Sequence, residues 1–133
     1  MKYLLFATLL ISLGATCNNN VPAADNSFQL DTVFELQPGE TRTLKDTDFS
    51  LTFDRIGEDS RCPEGVTCVW AGQVVAQMTS SSGPLVMTMT GKEPIAQTVN
   101  GYRVELLEVN PYPKNEEGTP AAESYRLQLK VTK

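Results

Sequence analysis

From residue 28 onward, apolar side chains recur at every second position, the period of a strand with one face in a core and the other in water. The clearest run is YRLQLKV, where Tyr125, Leu127, Leu129 and Val131 share one side and Arg126, Gln128 and Lys130 the other. FSLTF repeats it, with Phe49, Leu51 and Phe53 set against Ser50 and Thr52. The pattern predicts strands over residues 28–36, 49–56, 66–78, 85–89, 95–99, 102–109 and 125–131. In residues 102–109 the phase slips, because Tyr102, Val104 and Leu106 lie on one face and Leu107 and Val109 on the other. A β-bulge, or a strand buried on both faces, near Leu106-Leu107 accounts for that. No window sustains a helical apolar period beyond about two turns.

Turn chemistry separates the runs. Pro38-Gly39 supplies the fixed and the positive φ of a type II turn, Asn100-Gly101 has the form of a two-residue type I′ hairpin, and Ser82-Gly83-Pro84 interrupts the chain before Leu85. Residues 110–123, NPYPKNEEGTPAAE, carry three prolines and read as a long surface loop. Short strands at this spacing predict an all-β domain, a small antiparallel sandwich or barrel of about seven to eight strands.

The chain ahead of the strands is different in kind. Residues 1–16, MKYLLFATLLISLGAT, join a positive start at Lys2 to an apolar run too short to span a bilayer, and so read as an export signal. Cys17 follows small residues at the end of that run, an arrangement that resembles the lipobox of bacterial lipoproteins, where the cysteine is acylated and becomes the mature N-terminus. The motif departs from the usual form at Gly14 and Thr16. Cleavage near Val21-Pro22-Ala23, giving a secreted soluble protein, is the alternative. Residues 17–27 then form the acylated cysteine and a polar tether, and residues 28–133 a single domain. The expected location is the cell envelope, with the acyl chain as the contact to the membrane.

Composition narrows the function. The 133 residues hold 16 acidic and 11 basic side chains and no histidine. Loss of Lys2 with the signal takes the side-chain balance from −5 to −6. This charge disfavours nucleic acid as a partner, since binding it requires clustered Lys and Arg. The missing histidine removes His-based triads and His-ligated metal sites. With Cys17 assigned to the anchor, Cys62 and Cys68 are the remaining thiols. In an exported chain that pair is expected to be a disulfide, closed by the reversal at Pro63-Glu64-Gly65. A fold without histidine or a free thiol lacks the common neutral-pH base and nucleophile, so an enzyme is not expected and no cofactor is assigned.

Residues 57–72, GEDSRCPEGVTCVWAG, concentrate the chemistry. Asp59-Ser60-Arg61-Cys62-Pro63 and Cys68-Val69-Trp70-Ala71-Gly72 resemble the paired signature of a family of small exported bacterial proteins, many of them lipoproteins. The resemblance extends to Pro38–Thr41, to YRVELLEVNPYP and to the last strand, and it implies a single exported β domain without implying an activity. In the structural reading of the loop, Arg61 pairs with Asp59 or Glu58 and Trp70, on a strand face with Cys68, Gly72 and Val74, packs over the disulfide. In the functional reading, a stapled loop with Arg61, Pro63, Glu64 and Trp70 docks on another envelope or secreted protein, with little ordering entropy left to lose. Residues 110–120 are the second candidate loop. Two other functions remain as alternatives: copper handling by Met78, Met87 and Met89, and a hydrolase of cell-wall or polysaccharide substrates built on paired carboxylates.

Overall fold

The computed structural model describes residues 25–115 and 117–133. The segment expected to be an export signal, and Cys17, lie outside the described residues. Nine strands form: β1 (Ser27–Phe28), β2 (Val33–Leu36), β3 (Thr41–Leu44), β4 (Ser50–Asp59), β5 (Gln73–Ser80), β6 (Gly83–Thr90), β7 (Ile95–Val99), β8 (Tyr102–Asn110) and β9 (Arg126–Thr132). They make one sheet in the order β1-β3-β4-β5-β6 and another in the order β2-β9-β8-β7. Pairing is antiparallel except between β1 and β3. The only helical segment among the described residues is a 3-10 turn at Ala122–Ser124.

One apolar cluster joins the inner faces. Leu51, Phe53, Val74, Ala76, Met78, Met87 and Met89 from the first sheet meet Leu36, Val104, Leu106, Leu127, Leu129 and Val131 from the second, all buried. The alternation read from the sequence is therefore the packing of a two-sheet sandwich. The expected features at Pro38-Gly39 and Asn100-Gly101 are present: the Glu40 amide donates to the Gln37 carbonyl at 2.9 Å with Gly39 at φ 81°, and Asn100 and Gly101 have φ of 52° and 80° between the paired Val99 and Tyr102. In β8 the register shifts between Leu106 and Glu108, which brings both Leu106 and Val109 into the core.

The structure departs from the expected strands at four places. Residues 28–36 do not form one strand: Phe28 pairs in one sheet and Val33–Leu36 in the other, across a reversal at Asp31 with φ 60°. Phe28 and Phe34 stack at 4.3 Å between ring centroids, so the apolar period continues through the corner and hides it from the sequence. β3, of sequence TRTL, was not expected, since Leu44 is its one buried residue. Residues 66–72 are loop, and β5 starts only at Gln73. Pro84 lies within β6 rather than ending a strand, tolerated because β6 is the sheet edge and needs no ladder donor there.

The strands share a common axis. Ser27, Thr43 and Ser50 stand level at one end of their sheet. Asp59, Val74 and Met89 stand level at the other, where the disulfide loop and residues 110–123 emerge.

Candidate functional site

Two register shifts in β4, between Phe53 and Arg55 and between Ile56 and Glu58, twist its end and deliver Asp59 and Arg61 to the gap between the sheets. Both side chains are 1 % exposed. Arg61 donates from Nε to Asp59 Oδ1 at 2.8 Å and from Nη2 to Oδ2 at 2.6 Å, a bidentate pair. Its Nη1 donates to the Val109 carbonyl at 2.6 Å and its Nη2 also to the Pro111 carbonyl at 3.1 Å. The Tyr125 hydroxyl donates to Asp59 Oδ2 at 2.8 Å, and the Tyr112 ring lies 4.7 Å from the guanidinium carbon. One ion pair on the first sheet thus grips the end of β8, the loop beyond it and the residue preceding β9.

Burial alone would raise the Asp59 carboxyl, but the hydrogen bonds from Arg61 and Tyr125 and the guanidinium charge outweigh it and hold the group below the usual range. Burial, then the neighbouring carboxylate, push the Tyr125 phenol up. Asp25 and Glu40 are also lowered, the direction opposite to that of a carboxyl kept as a proton donor.

The loop above this pair is held at several points. Cys62 and Cys68 form the disulfide, with Cα atoms 5.9 Å apart. The Ser60 amide donates to the Gln73 carbonyl at 2.8 Å and the Cys62 amide to the Ala71 carbonyl at 3.0 Å, so the two arms zip together below the staple. Gly72 makes this approach possible: at φ 68°, a Cβ there would stand 1.9 Å from the Ser60 carbonyl oxygen. A closed ring of this size stabilises by about 2 kcal/mol through the unfolded chain.

The rigid loop raises apolar side chains into water. Val69 is 88 % exposed and Trp70 81 %, with Val66 also exposed. This corrects the expectation that Trp70 packs over the disulfide on a strand face: Gly72 turns the backbone before β5 begins, and the side chain projects outward. Arg61 is corrected too, since the residue expected at the contact tip is buried as the clamp. Pro63 is half-buried, and Glu64 is exposed and pairs with Lys92 at 3.3 Å. The two candidate loops are one surface. The Glu64 amide donates to the Pro113 carbonyl at 2.9 Å, and Lys92 sits 4.4 Å from the Tyr112 ring centre.

Met78, Met87 and Met89 are buried, cross-strand from Leu85, Ala76 and Val74, and fill the core between the sheets, so these thioethers do not form the solvent-accessible copper site expected as an alternative. Sequence reasoning missed Val69, Tyr112 and Tyr125. Only Tyr125 left a signal, a phenol at the head of a core-facing strand whose hydroxyl needed a buried partner.

Beside Trp70 runs an open groove of about 540 Å³, whose lining includes Glu58, Ser60, Gln73, Thr90 and Gly72. Among the described residues no helix is long and apolar enough to cross a membrane. No protein-family model matches the chain, and neither a search of curated proteins nor one of solved structures finds a match.

Proposed function

We propose that the protein is a non-catalytic binding protein of the cell envelope, anchored through an acylated Cys17, which docks on an envelope or secreted partner through the sandwich end that carries Trp70. The observation that carries this reading is the exposure of Val69 and Trp70 on a loop stapled by a disulfide and clamped from below by Arg61. Exposed large apolar side chains on a rigid support lose little entropy on binding, and tryptophan is enriched among the side chains that dominate interface energies. Among the described residues the shifted carboxyls, Asp25, Glu40 and Asp59, lie on the low side, which favours this reading over a carboxylate hydrolase.

The test is a crosslinking pull-down in the native envelope with the wild-type chain and with Trp70→Ala. Loss of the captured partner in the variant is expected, and an unchanged capture would remove this face from the proposal. Intact-mass measurement on membrane material tests the anchor: acyl groups on Cys17 are expected, and a soluble chain cleaved near Ala23 would refute it.

A further inference from the structure

The groove at Trp70 has a wall of a particular kind. Ser60 Oγ donates to Glu58 Oε1 at 3.0 Å, Gln73 Nε2 reaches the same oxygen at 3.4 Å, and the Gln73 amide donates to Ser60 Oγ at 3.3 Å. These contacts orient Glu58 and leave its Oε2 without a protein hydrogen bond among the described residues. Thr90 adds a hydroxyl, and the Trp70 indole stands beside this row of planar and hydroxyl groups.

That lining discriminates between ligand classes. Pro63, Ala71 and the disulfide also line the groove and would suit an apolar surface, but a wholly apolar ligand would desolvate Glu58, Ser60, Gln73 and Thr90 without replacing their bonds to water. An anion meets the Glu58 carboxylate, while the one cation in the lining, Arg61, is turned inward to Asp59 and two carbonyls. A neutral sugar meets neither obstacle. Its ring has an apolar C–H face that an indole can cover and a rim of hydroxyls that both donate and accept. Building on the docking reading above, we propose that the groove is a saccharide-binding subsite. Trp70 stacks on a neutral sugar ring, while Glu58, Ser60, Gln73 and Thr90 hydrogen-bond its hydroxyls.

Trp70 is the only tryptophan in the chain, so fluorescence excited at the red edge of the indole band, where tyrosine does not absorb, reports on this site alone. The disulfide-intact protein is titrated with β-1,4-linked tetrasaccharides of glucose and of N-acetylglucosamine, with an α-1,4-linked glucose tetramer, and with neutral polysaccharide extracted from the native envelope. A saturable fluorescence change with at least one of them is expected, and none with an anionic galacturonate tetramer. By calorimetry, Trp70→Ala abolishes the binding and Trp70→Phe retains it. Glu58→Gln weakens it about tenfold, as loss of a hydrogen bond to a charged group does. No change with any neutral sugar overturns the proposal, as does binding that Glu58→Gln and Gln73→Ala leave untouched. If the sugars fail while the pull-down still depends on Trp70, the docking reading stands with a protein partner and the saccharide subsite falls. If neither depends on Trp70, both fall.

Discussion

Replacing Arg61 by methionine keeps a long side chain in place while removing the guanidinium, and the structure sets a large cost for it. Asp59 would remain 1 % exposed with Tyr125 as its remaining side-chain donor, and the Val109 and Pro111 carbonyls would lose the donors that reach them across the sheets. Breaking a buried pair from one side costs about 3–5 kcal/mol, a large share of the roughly 5–15 kcal/mol that holds a domain together. Urea unfolding followed by circular dichroism should show a midpoint lowered by about 2 M, and thermal unfolding a fall on the order of 15 °C or more. The pH dependence gives the sharper reading. In the wild type the Asp59 carboxyl is lowered, so its contribution is complete above the unfolded value of about 3.9 and is lost as pH falls through the folded value. Without the guanidinium, burial raises the same carboxyl and the folded state gains from taking up a proton. The penalty of Arg61→Met should therefore be greatest at neutral pH and shrink toward acid. A loss below about 1 kcal/mol, or one constant from pH 7 to pH 3, would place the pair among ordinary solvated ion pairs and refute the reasoning.

Three further outcomes follow from the same geometry. Tyr125→Phe removes a hydrogen bond to a charged acceptor and should cost about 1.5–3 kcal/mol in denaturant unfolding. Because folding raises the Tyr125 phenol, wild-type stability should decline above about pH 10, where the unfolded chain ionises first, and the phenylalanine variant should lack that component. Gly72→Ala adds about 1–2 kcal/mol of left-handed backbone strain to an overlap with the Ser60 carbonyl; faster proteolysis within residues 60–72 is the expected readout, and wild-type resistance would count against the tight approach. Trp70→Ala should change unfolding stability by less than about 0.5 kcal/mol, against about 3–5 kcal/mol for a tryptophan lost from a core. A loss of several kcal/mol would mean that the indole packs against the fold in solution.

Sequence reading succeeds here where a single physical rule acts alone. Residues 125–131 alternate because one face meets the core, and Asn100-Gly101 turns because both positions need positive φ. It fails where two rules give the same pattern. Phe28, Leu30, Phe34 and Leu36 keep the strand period through a corner that changes sheets, because both sheets face the same core. Val66, Cys68 and Trp70 also keep that period, but the staple and Gly72 override it and leave the indole in water. The Asp59 and Arg61 pairing was legible from their proximity in sequence. Its grip on residues 109–111 was not, since contacts some fifty positions apart leave no local pattern.

The strand directions give the molecule two poles. Asp25 and Ser27 enter beside Thr43 at one end of the sheet, and β4 runs its ten residues, about 30 Å, before the chain reaches the disulfide loop at the other. The anchor proposed at Cys17 would hold the chain by the first pole. With that anchor the sandwich would be a spacer that presents Trp70 away from the membrane, and lengthening the segment before Ser27 would extend the reach of the loop without altering a single contact that shapes it.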